Sequence, residues 1–201
     1  MLCPCCRQPL PEQAPACPHC EFSHASAAQY FGELPKLEFP LTDLAGVLGS
    51  WKKRAVRDAL LGMSRVFPQL SFAAVLAESD ARVPLGSHAF WLFNSGGLNA
   101  AQESGGRCRL VLLVLDVQNT RAACMIGYGL EPFVPQETLE RVAAAALPDL
   151  KRQDHAAAVI AALHCARTEF ATVAQTIPHE IELFESGQTA GATGETSAFA
   201  Y

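Results

Sequence analysis

The sequence predicts an α/β fold, an α/β/α sandwich in which helices cover both faces of a mixed sheet, preceded by a small metal-binding unit. Helical and strand patterns alternate through residues 45–174, as they do in α/β proteins. Five of the eight cysteines lie within the first twenty residues, a segment too poor in apolar residues to fold without a metal. We therefore expect a metal-binding unit at residues 1–24, a linker at 25–44, the α/β domain at 45–174 and an acidic, disordered tail at 175–201.

The first pattern is a pair of Cys-x-x-Cys steps. They read Cys3-Pro4-Cys5-Cys6 and Cys17-Pro18-His19-Cys20, and ten residues separate them. Each step folds into a tight turn that brings two thiolates together, and the polar residues between the steps allow the second turn to lie opposite the first. The spacing predicts a structural zinc ion bound by Cys3, Cys6, Cys17 and Cys20.

Other interpretations of this segment are weaker. Cys5 and His19 are the alternative ligands, but they lie inside the turns, where their side chains should point away from the metal. A disulfide pair is disfavoured in a reducing cytoplasm, and a redox centre would need a surrounding strand and helix. The segment resembles the zinc ribbons of many bacterial proteins, although Arg7 and Glu21 stand where a glycine commonly follows each second cysteine. We expect the ribbon to fold independently of the α/β domain.

Composition and charge exclude several classes of protein. Half of the residues are apolar and 17% are charged, which is typical of a globular chain. The net charge of −5 and one basic cluster, residues 52–65, do not favour a nucleic acid partner. The apolar runs are far shorter than the ~20 residues that span a bilayer, and the start of the chain has no signal-peptide pattern. We therefore expect a cytoplasmic protein without a transmembrane segment.

The first half of the α/β domain alternates between helix and strand. Apolar residues at helical spacing predict a helix near residues 50–67, which Pro68 ends. An apolar run predicts a strand over 70–79, and a second helix is expected from about 84 to 93. Glycine, asparagine and serine then predict a long loop over 94–106.

The second half of the domain begins with two strands. They are expected at 109–117 and 121–128, and the short connection between them requires an antiparallel hairpin. The first of them is apolar on both faces and should be central, and a right-handed crossover makes it parallel to the strand before it. Pro135 opens the next helix, which should end before Pro148, and Asp154 begins a last helix that should end near residue 174.

Two motifs stand out in this half. One is Ile126-Gly127-Tyr128-Gly129-Leu130-Glu131 after the hairpin, and the other is Leu147-Pro148 followed by Gln153-Asp154-His155-Ala156. Together with the order of the elements, these motifs resemble the TPM domain family. The resemblance covers about residues 45–170 and implies an α/β/α sandwich. Members of the family have been linked to weak phosphatase activity, to divalent metal binding and often to membrane or envelope complexes. The resemblance thus implies a hydrolase of small phosphate esters that uses calcium or magnesium.

The turn after the hairpin is the candidate ligand site. The hairpin brings this turn and the loop 94–106 to one edge of the sheet. Its two glycines allow backbone amides to approach a ligand, and the next helix directs its positive end there. Alternatively, the glycines serve only a turn with unusual φ values. The candidate binding residues are Gly127, Gly129, Glu131, Gln136, Asn94 and Arg107.

Two departures from the family pattern work against a cation at this site. Gln136 stands where the family has an aspartate, and Gly106-Arg107-Cys108-Arg109 replaces an Asn-Gly entry to the hairpin. Calcium and magnesium require several oxygen ligands, so a lost carboxylate and nearby arginines weaken the site. We therefore assign no catalytic residue and favour a non-catalytic binding or assembly module with a protein partner. The alternative is the weak metal-dependent phosphatase.

The remaining cysteines and acidic residues have structural interpretations. Cys108, Cys124 and Cys165 lie in apolar sequence, and we expect them to be small buried hydrophobic residues. Glu78, Asp80 and Asp116 should lie near the other end of the sheet, where solvated turn residues are the expected interpretation.

Overall fold

Five helices and four strands make up the part of the chain that the computed structural model describes, residues 3–11, 14–33, 35–95, 98 and 106–188. The helices are α1 (His24–Phe31), α2 (Ser50–Val66), α3 (Leu85–Ser95), α4 (Gln136–Lys151) and α5 (His155–Gln188). The strands are β1 (Leu41–Asp43), β2 (Ser71–Ala77), β3 (Leu110–Asp116) and β4 (Arg121–Ile126). Short 3₁₀ turns, Gly106–Arg109 and Tyr128–Leu130, flank the last two strands.

The four strands form one mixed sheet in the order β1-β2-β3-β4. β1 and β2 run parallel, as do β2 and β3, with Ala74 opposite Leu113. β3 and β4 are antiparallel, with Leu113 opposite Cys124. The predicted hairpin, the predicted parallel pair and the central position of β3 are therefore confirmed, and β4 is an edge strand of this sheet.

Helices cover both faces of the sheet, and as a result β2 and β3 are buried along their whole length. Alternate side chains of a strand point to opposite faces, so each strand needs a hydrophobic layer on both sides. Helices α2, α4 and α5 supply one layer and helices α1 and α3 the other. The first layer contacts Phe72, Ala74, Leu76, Val111, Leu113 and Leu115, and the second contacts Ala73, Val75, Ala77, Leu110, Leu112 and Val114. The predicted α/β/α sandwich is confirmed.

The segment 25–44, which we expected to be a linker, instead contains α1 and β1. Ser23 caps α1, because its Oγ accepts a hydrogen bond from the backbone N–H of Ser26 at 3.1 Å. Phe31 then stacks on His88 and Trp91 of α3, with ring centroids 4.9 and 5.2 Å apart. This segment is thus part of the domain, and its short elements gave no periodic signal in the sequence.

Two helices run past their predicted ends. α4 continues through Pro148 to Lys151, although a proline inside a helix removes one backbone hydrogen bond. α5 continues to Gln188, so the expected end near residue 174 is wrong. The disordered tail expected for 175–201 is therefore wrong over residues 175–188, which belong to α5, and its remainder, 189–201, lies outside the described residues.

Helix α5 has a composition that also suits a membrane. Its stretch His155–Gln175 is the one described helix long and apolar enough to cross a bilayer, and 39% of its most apolar part is buried within the protein. Val159, Leu163 and Phe170 lie in the core beneath the sheet. Core packing therefore accounts for this apolar stripe, and length and composition alone are weak grounds for a membrane span.

Asp116 is fully buried at the end of β3 and joins two loops. Its carboxylate accepts hydrogen bonds from Ser79 Oγ (2.7 Å), Asn119 Nδ2 (2.9 Å) and Arg121 Nη2 (2.7 Å). Arg121 also donates to the carbonyl oxygen of Val83 at 2.9 Å. The interpretation of Asp116 as a solvated turn residue is therefore wrong, because it links the start of β4 to the loop before α3.

The side chains of Glu78 and Asp80 are solvated, as expected, although the backbone carbonyl of Asp80 accepts a hydrogen bond from Arg121 Nη2 at 3.1 Å. Both residues are exposed, and Asp80 pairs with Arg82 in its own loop at 2.6 Å.

Replacement of Asp116 tests the network. Burial acts to raise the pKa of Asp116, but hydrogen bonds from Ser79, Asn119 and Arg121 outweigh it and hold the pKa below its ordinary value. A lowered native pKa stabilises the fold above the unfolded pKa, and this stabilisation is lost as the pH falls through the native pKa. We expect Asp116→Asn to reduce the free energy of unfolding at pH 7 by about 3 kcal/mol, because Arg121 loses its buried partner.

Urea denaturation between pH 7 and pH 3 measures both effects. The difference between the native protein and Asp116→Asn should shrink below about pH 4. Asp58→Asn removes an exposed carboxylate and serves as the control, with an expected change within about 0.5 kcal/mol. Equal stability of Asp116→Asn and the native protein at pH 7 would contradict the assigned role.

Candidate metal centre and the adjoining groove

The two Cys-x-x-Cys steps fold into two copies of the same turn. In each, the residue after the second cysteine donates its N–H to the carbonyl of the first, at 2.9 Å from Arg7 to Cys3 and at 2.8 Å from Glu21 to Cys17. Arg7 and Glu21 have φ values of 59° and 58°, in the left-handed region that favours glycine. The expected turns therefore form without glycine, at a cost of roughly 1 kcal/mol per residue.

The turns bring four sulfur atoms together. The Sγ atoms of Cys3, Cys6, Cys17 and Cys20 all lie within 4.8 Å of one another. Cys3 and Cys20 are 3.7 Å apart, and so are Cys6 and Cys17. Bonds of about 2.3 Å from one tetrahedral ion to its thiolates place the sulfurs about 3.8 Å apart. The four thiols can therefore hold a metal ion such as zinc.

The alternative ligands do not join this cluster. Cys5 and His19 are both absent from the described group of converging ligand atoms, and His19 is exposed to solvent.

Backbone N–H groups act to lower the pKa of all four sulfurs, but burial and the neighbouring thiols raise the pKa of Cys3 and Cys6 and raise that of Cys20 to about 11, so Cys17 is the one ligand whose pKa falls. Burial acts to raise the pKa of Cys17, but N–H groups of His19 and Cys20, with the neighbouring thiols, lower it to about 7. At Cys3, burial raises the pKa while N–H groups of Cys6 and Cys5 oppose the shift. Metal binding requires deprotonated thiols, so donors that stabilise negative sulfur suit a metal centre.

The cysteine unit packs on the α/β domain, contrary to the expected independence. The carbonyl oxygen of Pro4 lies so close to Gly86, in the first turn of α3, that a Cβ built there would be 2.7 Å from it. Arg7 Nη1 pairs with Glu140 Oε1 of α4 at 2.6 Å. Phe22 meets Phe90 of α3 edge to face, with centroids 5.6 Å apart. Contacts therefore join this unit to helices on both faces of the sheet.

A groove of about 750 Å³ lies between the first cysteine turn and the domain. Strand β4 lies along it, and α4 forms the opposite side. The lining comprises Cys3 to Arg7, Pro84 to Gly86, Thr120 to Ile126, Glu131, Val134, Gln136, Leu139, Glu140, Ala143 and Leu147. The linear sequence contained no signal for this groove, because its parts lie far apart along the chain and come together through tertiary contacts such as the packing of Pro4 on Gly86.

The candidate ligand site is only partly assembled. Glu131 and Gln136 both line the groove and are exposed. Asn94 is not among the lining residues, and its Nδ2 donates to the carbonyl of Phe90 at 2.9 Å. The side chain of Arg107 lies outside the described residues.

Two backbone amides at the Gly-x-Gly turn are used in internal hydrogen bonds. The N–H of Gly127 donates to the carbonyl of Leu110 at 2.8 Å, and the N–H of Leu130 donates to Gly127 at 2.9 Å. Gly127 has an ordinary φ of −71°, so unusual φ values do not explain this glycine. At Gly129 a Cβ would lie 3.0 Å from the carbonyl oxygen of Cys108. This turn packs against the entry to β3, an arrangement that offers little support for an amide cradle.

The three remaining cysteines differ in exposure. Cys108 is exposed, so its expected burial is wrong, whereas Cys124 and Cys165 are partly buried. Burial raises the pKa of Cys124 to about 12, and burial raises that of Cys165 as well. Protonated thiols are poor nucleophiles, so neither side chain suits covalent catalysis.

Comparison with known proteins supports the fold. No protein-family model and no curated protein sequence matches the chain. Among solved structures, the N-terminal domain of a P. gingivalis protein is 23% identical, with a TM-score of 0.49 over 64% of this chain and 79% of that one. The N-terminal domain of a Corynebacterium glutamicum protein is 15% identical, with a TM-score of 0.46 over 84% and 95%. The BA42 protein of Bizionia argentinensis is 13% identical, with a TM-score of 0.50 over 65% and 86%. The likeness to BA42 concerns the fold alone.

Two glycine replacements test how the cysteine unit packs. Alanine is favoured over glycine inside a helix by about 0.5–1 kcal/mol, and a Cβ at Gly62 of α2 meets no atom within 4 Å. Gly62→Ala should therefore raise the free energy of unfolding. Gly86→Ala should lower it by about 1–3 kcal/mol, because the Pro4 carbonyl must move. Urea denaturation compares the two variants, and stabilisation by both would show that Pro4 does not pack on Gly86.

Proposed function

We propose that this protein is a non-catalytic binding or assembly module of the TPM type, whose N-terminal zinc ribbon shapes a surface for protein contacts. The observation that carries this proposal is the position of the four-thiol cluster, which holds the first cysteine turn against Gly86 beside the groove. A metal bound there would cross-link the two turns and supply folding energy to a segment with little apolar core.

The TPM assignment is supported by the fold and by the motif residues together. Residues 126–131 lead out of β4 and pack on the 3₁₀ turn Gly106–Arg109. This arrangement accounts for glycine at position 129, where a side chain would crowd Cys108. The motif thus has a structural role that a binding module can retain without activity.

The distribution of carboxylates supports a non-catalytic role. Among the described residues, the four cysteines are the one group of three or more His, Cys, Asp and Glu that converges well enough to hold a metal. The groove contains Glu131 and Glu140, but Glu140 pairs with Arg7. A hard cation requires several oxygen ligands, and Gln136 supplies an uncharged one.

We place the protein in the cytoplasm. All eight cysteines lie within the described residues and none forms a disulfide. A reducing compartment keeps thiols available to zinc.

Metal content tests the ribbon. Native mass spectrometry of the purified chain should show about one zinc ion per molecule. Cys17→Ser should abolish binding, because it removes one of four converging thiolates. Cys5→Ser is the matched control and should retain the metal. Retention by Cys17→Ser together with loss by Cys5→Ser would show that the ligand assignment is wrong.

A phosphatase assay tests the absence of catalysis. The full chain with para-nitrophenyl phosphate and magnesium, manganese or calcium should release no more product than its Glu131→Gln variant. Millimolar calcium should leave the melting temperature unchanged, since a ligand that binds the native state would raise it. Gln136→Asp should create a calcium-dependent rise. A rise in the unmodified protein that Glu131→Gln abolishes would instead favour the phosphatase.

A further inference from the structure

Strand β4 leaves half of its backbone groups without a neighbouring strand in the described sheet. Opposed residues of an antiparallel pair alternate between those that exchange hydrogen bonds and those that do not. The N–H of Gly127 bonds to the carbonyl of Leu110 directly opposite. Every second residue, counted back along β4 from Gly127, therefore directs its N–H and C=O groups toward β3. By this alternation, Ala122, Cys124 and Ile126 direct their N–H and C=O groups away from β3.

The groove runs along this open edge. All six residues of β4 line it, although their side chains alternate between the two faces of the sheet. The wall on one face is the first cysteine turn with the start of α3, and the wall on the other is α4. Arg7 and Glu140 form an exposed ion pair between these two walls, and a chain that enters the groove must pass beneath this pair or displace it, which costs little because exposed ion pairs contribute little to stability. An edge with a wall on each side admits one extended chain, and six residues of such a chain span about 20 Å.

The charges of the groove define the kind of chain that fits. The lining contains two arginines and two glutamates, so its formal charge is zero. Arg7 already pairs with Glu140, and Arg121 pairs with Asp116 at 2.7 Å. Most other lining residues are small or apolar, among them Ala122, Ala123, Ala143 and Leu147. A lining with no net charge attracts neither an acidic nor a basic segment, so charge complementarity favours an uncharged segment.

We propose that β4 binds an uncharged, extended segment of another protein as an added fifth strand. The segment bonds to the outward backbone groups of Ala122, Cys124 and Ile126, and it lies between the first cysteine turn and α4. Main-chain hydrogen bonds provide affinity in this mode, and alternate side chains provide specificity. The proposal rests on the assignment of the protein as a binding module and names the surface and the class of partner. A second copy of this chain is disfavoured as the partner. Its β4 edge is flanked by its own helices, and these would collide with the two walls of the groove.

Selection from a displayed library of random heptapeptides tests the proposal with the full, zinc-loaded chain. Enriched peptides should be uncharged in their central residues. The best sequence is then synthesised with N-methyl groups at alternate residues, in two sets of opposite parity. One set should lose about tenfold or more in affinity, because its methyl groups replace the N–H donors that face β4. The other set should bind as the parent does. The proposal would be overturned if both sets of N-methylated peptides bound with the same affinity as the parent peptide. It would also be overturned if the selection enriched only charged sequences.

A pair of variants tests the strand itself. Ala122→Pro removes an outward N–H, a position where an edge strand tolerates proline, and should weaken the selected peptide about tenfold. Ala122→Ser retains the N–H and should bind as the native chain does, with melting temperatures confirming that both variants are folded. Equal binding by Ala122→Pro and Ala122→Ser would overturn the proposal.

Other occupants give different results. Dimerisation in sedimentation experiments that Ala122→Pro abolishes would assign the edge to a second copy. Peptide binding only by a chain that ends at Gln188 would assign it to residues 189–201. Either result would overturn the proposal. Failure to select any peptide, while zinc binds and no phosphatase activity is found, would reject the added strand and leave the proposed module intact.

Discussion

The burial of β3 on both faces is the constraint on which the rest of the structure depends. Every side chain from Leu110 to Asp116 is buried, and burial on two faces requires a helical layer on each. These layers place α3 on one side of the sheet and α4 on the other. The hairpin then places β4 at the edge between them, so the groove is a consequence of how the centre of the sheet is covered.

The elements that the sequence predicted are those whose signal is local. The helix over 50–66 and the hairpin after Leu110 follow from periodicity and from a short connection. The four cysteines likewise have a spacing that brings them together without reference to the rest of the chain. Strand β1 was missed, because its three residues are too few to show a period of two.

The features that sequence reasoning could not supply join residues distant along the chain. The sequence predicts Asp116 to be a solvated turn residue, but one of its partners is Ser79 on another loop. Pro4 and Gly86 lie about eighty residues apart in the sequence and meet through tertiary packing. The Gly-x-Gly motif indicated backbone access for a ligand, whereas Gly129 instead admits the carbonyl of Cys108. A glycine indicates that space is needed, but the group that occupies the space is decided by tertiary packing.

The left-handed turn residues have different consequences in the two halves of the cysteine unit. Both Arg7 and Glu21 occupy a conformation that glycine adopts without strain. At position 7, the conformational strain is accompanied by an ion pair between the Arg7 side chain and Glu140 on α4. A glycine at this position could not form that ion pair. The structure gives Glu21 no equivalent ion pair among the described residues. The two turns have the same backbone conformation but different structural roles. The first attaches the cysteine unit to its domain, and the second supplies the remaining two cysteine ligands. Glycine in place of Glu21 would therefore relieve the strain of the second turn without loss of an ion pair. Glycine in place of Arg7 would relieve the strain of the first turn but remove the ion pair with Glu140.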